Sequence, residues 1–240
     1  MAGRFAVGRR LRVLDVGMGR GAQALRLARA GHQVTGLEDD PALVAAAREA
    51  LAGQPEGIRE RMRIVLGDGR DTGVHFLPGS FDVVLCHRVL MQAVEPDPVL
   101  AGLGRMLAPG GLLSLLVRNG DAPAMRPGLL GDWAGALAAL DTTASLPHPR
   151  PRPDGEDGTR VRGPGPGGRA DRRAALTATL AGIGAPLHGW YGVGVFTGTA
   201  GDGTPPPPDV DTLLAAEERA GRTDPYRGVA ALLHLCGVRG

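Results

Sequence analysis

The sequence predicts an α/β fold, a Rossmann-like doubly wound sheet that is mostly parallel with an antiparallel last strand. Three observations point to it. Residues 11–118 alternate short apolar runs with helix-forming stretches, the runs are continuously apolar, and the first ends in a glycine cluster. Continuous apolar strands separated by helices indicate a parallel sheet covered on both faces. In such sheets ligands gather at the turn where a strand feeds a helix.

The elements follow in order. Leu11 to Val16 is the first strand, running into Gly17-Met18-Gly19-Arg20-Gly21. Ala22 to Ala30 is a helix stopped by Gly31, the residue type that tolerates a helix C-terminus best. Gln33 to Leu37 is a second strand, after which Asp40-Pro41 supplies an N-cap and a first-turn proline for a helix to Ala52. Ile64 to Leu66 and Phe81 to Cys86 are strands three and four. Pro98 to Leu107 is helical, Pro109-Gly110-Gly111 is a turn, and Leu112 to Val117 is the fifth strand.

Regularity then lapses. Pro147 to Gly168 holds 12 Gly or Pro among 22 residues, so it is expected to be mobile, either a solvated insertion or a basic flap over a phosphate-bearing substrate. Asp171 to Ala181 reads as a helix, Trp190 to Thr197 as an alternating strand, Gly201 to Pro208 as a loop, Val210 to Arg219 as a charged helix and Val229 to Val238 as the closing strand. These form one domain over 1–240: a core at 11–118, a connection at 119–170, and closing helices and strands at 171–240.

Composition removes several chemistries. All 27 basic residues are arginine, so no Schiff base, P-loop lysine or lysine general base is possible. A net charge of +2 permits nucleic acid as a partner without arguing for it. Two cysteines, Cys86 and Cys236, suit neither a disulfide framework nor a zinc site, and no run suggests a signal peptide or a membrane span. A cytoplasmic protein with no metal and no membrane partner is the expectation.

The chemistry concentrates in Asp15-Val-Gly17-Met18-Gly19-Arg-Gly21. Glycine there lets a ligand approach the backbone, and the helix start offers N–H groups to negative charge. The spacing also satisfies the dinucleotide pattern with Ala22 last, and Glu38 after the second strand can accept ribose hydroxyls in either case. Three features separate the readings. Asp15 suits an ammonium and would repel a pyrophosphate, Asp68 in Leu66-Gly-Asp68-Gly69 can bond an adenine amino group, and Pro109-Gly-Gly111 precedes the fifth strand.

In this order VLDVGMGRG, VTGLEDDP, LGDGRD, FDVVLCHRVL and LAPGGLLSLL resemble the class I S-adenosylmethionine-dependent methyltransferases across 11–118. The resemblance implies that architecture and S-adenosyl-L-methionine as cofactor. Gly17, Met18 and Gly19 would line its methionine part, with Asp15 beside them. Glu38 and Asp39 would hold the ribose, Asp68, Gly69 and Arg70 would flank the adenine, and His87 would stand on the cofactor side.

Later motifs are similar to the bacterial tRNA 5-carboxymethoxyuridine methyltransferase group: CHRVLMQAVEP, LLSLLVRN, GVGVF, LAAEER and RTDPY. That implies methylation of a carboxylate on a tRNA wobble uridine, with tRNA as a partner and no catalytic side chain required, because an ionised carboxylate is already nucleophilic. Arg88, Arg118 and Arg222 are candidates to hold that carboxylate, with Asn119, Tyr191 and Tyr226 beside them. Each arginine would otherwise be a solvated charge.

Departures from the group keep alternatives open. The group has a helical segment before the first strand where only about ten residues precede Leu11 here, so that cover is expected to be missing or the chain truncated. Gln92 replaces an expected aromatic, and aromatics are 3% of the chain. A small-molecule acceptor, or a cofactor-binding scaffold without turnover, is the alternative.

Overall fold

The structure, a computed structural model, describes residues 5–6, 8–93, 95–141, 169–200 and 205–240. The Pro147 to Gly168 segment and residues 201–204 of the second glycine- and proline-rich loop lie outside them.

Seven strands form one sheet in the order β3-β2-β1-β4-β5-β7-β6: β1 Arg12–Val16, β2 Gln33–Glu38, β3 Met62–Leu66, β4 Phe81–His87, β5 Leu107–Arg118, β6 Leu187–Val193 and β7 Leu232–Val238. β3 to β5 pair in parallel, whereas β7 enters antiparallel between β5 and β6. The helices are α1 Ala22–Arg29, α2 Pro41–Ala52, α3 Glu56–Arg59, α4 Thr72–His75, α5 Pro96–Met106, α6 Met125–Leu129, α7 Trp133–Asp141, α8 Arg173–Gly182 and α9 Val210–Ala220.

Both faces bear a core. On one, Leu14, Val84, Leu113, Leu115 and Leu235 meet Leu100 and Leu103 of α5 and Leu180 of α8. On the other, Val13, Val34, Met62 and Leu85 meet Ala24, Leu25 and Ala28 of α1 and Ala47 of α2. The small alanines let α1 lie close to the strands. At β2, Asp40 caps α2 by accepting from the N–H groups of Ala42 and Leu43, with proline in the first turn as expected. Over β5, β7 and β6 the second face opens into a groove of about 1020 Å³ whose lining includes Tyr191, Arg222, His234 and Cys236.

Several element limits differ from the sequence reading for identifiable reasons. Pro109-Gly110-Gly111 lies inside β5 instead of forming a separate turn: the Gly110 N–H donates to the Arg239 carbonyl, and the Arg239 N–H to Gly111. The strand read as Trp190 to Thr197 stops at Val193, because Gly194 has φ 69° and the N–H groups of Val195, Phe196 and Thr197 all donate to the Glu217 carboxylate. The helix read from Asp171 starts at Arg173, since Asp171 is bridged to Asn119 and its N–H donates to the Arg118 carbonyl. The last strand starts at Leu232 because Tyr226–Val229 forms a 3-10 turn and the Asn119 side-chain amide donates to the Gly228 and Ala230 carbonyls. The α6 and α7 helices were not read from the sequence at all, and α7 buries none of its residues.

Candidate functional site

The chain reverses direction of progression between β1 and β4, which is where sheets of this kind bind ligands. The β1–α1 loop forms one wall there. Gly17, Gly19 and Gly21 have φ of 66°, 59° and 76°, the left-handed region. At Gly17 a side chain is excluded twice over, because a Cβ would run into the Val89 side chain. The loop is held from outside: the Gly17 and Met18 N–H groups donate to the Leu37 carbonyl, at 2.8 and 3.3 Å. Gly21 is the α1 N-cap and supplies no side-chain acceptor, so the helix start presents backbone donors.

Two buried carboxylates stand behind the loop. Glu38 accepts from the Gly19 N–H at 2.9 Å and from the Asp39 and Asp40 N–H groups at 3.1 and 3.2 Å, clamping the loop to the end of β2. Asp15 is 3% exposed, and its Oδ2 has no hydrogen-bond partner. Burial, with the charge of Glu38 adding to it, pushes the Asp15 carboxyl up to about 7. Asp39 follows Glu38 at the β2 end. The Met18 side chain turns away from the loop and is buried against Gly36, so only its backbone lines the loop.

Beyond β3, Asp68 accepts from the Arg70 backbone N–H at 2.8 Å and pairs with the Arg70 guanidinium at 2.6 Å. Gly69 lies against Val16, which draws this turn toward the end of β1. At the end of β4, His87 Nδ1 meets Gln23 Oε1 of α1 at 3.0 Å, and its Nε2 meets Ser114 Oγ at 2.8 Å. Burial, reinforced by His234, lowers the His87 pKa to about 4. The cofactor-side candidates Asp15, Gly17, Gly19, Glu38, Asp68 and His87 thus lie at or just past the carboxyl ends of the neighbouring strands β1, β2, β3 and β4.

The remaining candidates divide into two groups. Arg118, at the end of β5, lies within electrostatic reach of Arg88, at φ 65° directly after β4, and of Arg126. Burial first, then Arg126 and Arg88, holds the Arg118 pKa below the ordinary arginine value. Arg126 was not foreseen; its guanidinium also donates to the Gly198 carbonyl. The second group, Tyr191 and Arg222, lines the groove, with the Arg222 guanidinium 6.0 Å from the Tyr191 ring and paired to Glu218 at 2.6 Å. Tyr226 is half-exposed in the 3-10 turn before β7. Asn119 is buried and committed to the backbone: it bonds the Gly228 and Ala230 carbonyls and the Asp121 N–H.

Sequence reasoning missed Gln23 and Ser114, which meet His87 across 64 and 27 residues of chain, and His234, which meets Ser114 across 120. The one signal was parity. Ser114 shares the even-numbered face of β5 with Leu112, but a serine in an apolar strand says nothing of its partner. Among the described residues no group of three or more His, Cys, Asp or Glu could hold a metal, and no helix is long and apolar enough to cross a membrane.

Comparison with known proteins bears on the fold and the family. Residues 14–115 match the family model described as a methyltransferase domain. The chain is 32% identical over 145 residues to the tRNA 5-carboxymethoxyuridine methyltransferase of Escherichia coli K12, covering 59% of this chain and 54% of that protein. It is 34% identical over 120 residues to a ubiquinone biosynthesis O-methyltransferase of Xanthomonas euvesicatoria, covering 50% of this chain and 48% of the other. The chain thus spans about half the length of the curated relatives it matches. Among solved structures, an S-adenosylmethionine-dependent methyltransferase of Methanosarcina mazei superposes with a TM-score of 0.61 at 14% identity, covering 97% of this chain and 94% of that one. The [4+2]-cyclase SpnF superposes with a TM-score of 0.60 at 21% identity, covering 99% and 78%.

Proposed function

We propose that this chain, which carries a methyltransferase domain at residues 14–115 on the class I Rossmann-like fold, is an S-adenosylmethionine-dependent methyltransferase whose acceptor is a carboxylate on a modified tRNA wobble uridine. Bound S-adenosylmethionine supplies an electrophilic methyl group on a sulfonium. The residues present fit it: the unpartnered Asp15 oxygen suits the ammonium, the glycine loop leaves open space beside Gly19, and Glu38 and Asp68 end adjacent strands where ribose and adenine would lie.

The observation that carries the acceptor class is the convergence of Arg88, Arg118 and Arg126 past the ends of β4 and β5. Guanidiniums hold carboxylates bidentately. A carboxylate oxygen attacking the methyl carbon forms a C–O bond as the C–S bond breaks, with the electron pair staying on sulfur. No proton has to leave. That agrees with His87, whose two ring nitrogens are engaged and whose pKa of about 4 makes it a feeble base. The relative from Escherichia coli supports tRNA as the carrier.

The test is incubation of the protein with S-adenosylmethionine and tRNA bearing the free carboxylate. Release of S-adenosylhomocysteine together with a methyl ester in the digested wobble nucleoside is expected. Turnover only with a small-molecule acceptor would move the assignment away from tRNA. Cofactor binding without any turnover would mark a scaffold.

A further inference from the structure

Three side chains from three neighbouring strands meet on the open half of the sheet. His87 of β4 and His234 of β7 stand level with each other, both opposite Leu116 of β5. Ser114, two residues earlier on the same face of β5, receives both rings: its Oγ lies 2.8 Å from each Nε2. The two imidazoles meet edge to face, with centroids 5.8 Å apart. Ser114 is 4% exposed, so its bonding must be satisfied from within the protein.

Proton counting gives this chain a direction. With the Gln23 amide turned so that Oε1 faces the ring, an oxygen that can only accept, His87 Nδ1 carries the hydrogen between them. In a neutral imidazole the Nε2 is then bare, and it accepts the Ser114 O–H. With its one proton used, Ser114 Oγ must accept from His234, which therefore carries hydrogen on Nε2. The Cys236 sulfur, 3.6 Å from that nitrogen, is a second acceptor for the same N–H. Burial favours the neutral form of both rings by lowering their pKa values, that of His87 to about 4. The polarity thus runs from the groove, where His234 and Cys236 are exposed to it, to the first turn of α1.

We propose that Ser114 and His234 are positioning residues that lock His87 in its Nδ1–H tautomer and thereby hold Gln23 and the first turn of α1 in the arrangement that binds the cofactor. The proposal rests on the reading that the glycine loop and α1 N-terminus hold S-adenosylmethionine. Its consequence is that the C-terminal strand, distant from the glycine loop in sequence, sets the loop's affinity.

Two measurements test it. Histidine-selective 15N NMR of the whole protein reads each ring directly, and a bare Nε2 on His87 with a protonated Nε2 on His234 is expected. The opposite tautomer on His87 would overturn the lock without reference to any ligand. Titration calorimetry with S-adenosylhomocysteine then reads the coupling. Ser114→Ala and His234→Ala should each weaken binding about three- to tenfold, the effect of one lost buried hydrogen bond. Ser114→Thr, which keeps the hydroxyl, and His234→Gln, which keeps an N–H donor, should stay within about twofold. Alanine and conservative variants that behave alike would reject the positioning role. If Ser114→Ala does not fold, the contrast between His234→Ala and His234→Gln decides. Failure of the wild type to bind S-adenosylhomocysteine would overturn the cofactor reading and the positioning role with it, while the NMR result would still judge the tautomer lock.

Discussion

At the residue scale, Asp15 and Gly17 carry the sharpest consequences. The folded Asp15 carboxyl titrates near 7 against an ordinary value of 3.8, first because it is buried and then because Glu38 is ionised nearby. A folded pKa above the unfolded one means that the native state binds more protons between those two values. The Asp15 contribution to stability therefore falls as pH rises from about 4 to about 7 and levels off above. Asp15→Asn should abolish that slope and raise Tm at pH 7.5 more than at pH 5, while weakening binding of the amino-acid end of the cofactor. A denaturation series across pH with no difference between the two proteins would contradict the assignment. Gly17→Ala meets the left-handed φ penalty of ~1–2 kcal/mol and a clash with Val89. It should cost at least about tenfold in S-adenosylhomocysteine affinity. Adding Val89→Ala should restore only part of that loss, because the backbone term remains.

At the scale of elements, the Glu217 carboxylate gathers the turn after β6. Burial raises the Glu217 pKa, but the Thr197 hydroxyl and the N–H groups of Thr197, Val195 and Phe196 outweigh it, so the carboxyl sits below its ordinary value. For a depressed acid the stabilisation is present above the unfolded value and is lost as pH falls through the folded one. Glu217→Gln should speed proteolytic cleavage within residues 194–200 at neutral pH, as measured by limited digestion and mass spectrometry. It should leave α1 and the glycine loop protected in hydrogen exchange. These same residues show why the strand end was illegible in the sequence. Nothing local in Gly-Val-Phe-Thr reveals that a glutamate twenty positions later takes its amide hydrogens.

For the whole molecule, the acceptor reading makes a claim about charge. The net charge is only +2, so attraction to RNA must come from arginines gathered on one side. Binding of the acceptor tRNA should weaken linearly in log affinity against log salt, whereas S-adenosylhomocysteine affinity should barely change. Arg118→Gln should raise KM for the tRNA strongly with little effect on cofactor affinity. A flat salt response would favour a small acceptor. The arrangement of Arg88, Arg118 and Arg126 depends on the sheet order, because β4 and β5 are adjacent strands although a helix separates them in sequence. The groove over β5, β7 and β6 likewise exists only because β7 inserts antiparallel between two strands that precede it.

The parallel half of the sheet, the glycine loop, the α2 cap and the acids at the end of β2 and just past β3 are legible in the sequence. Each depends on short-range chemistry: continuous apolar runs, residues that tolerate positive φ, and an N-cap beside a proline. The tertiary structure decided what those residues touch. It turned Met18 into the core, gave Glu38 to the loop backbone, committed Asn119 to the 228–230 carbonyls, and joined His87 to Ser114 and His234. The physical reason is register. Residues meet across a sheet by strand order and pairing, which arise from the packing of the whole molecule and leave no mark in the spacing of any one segment.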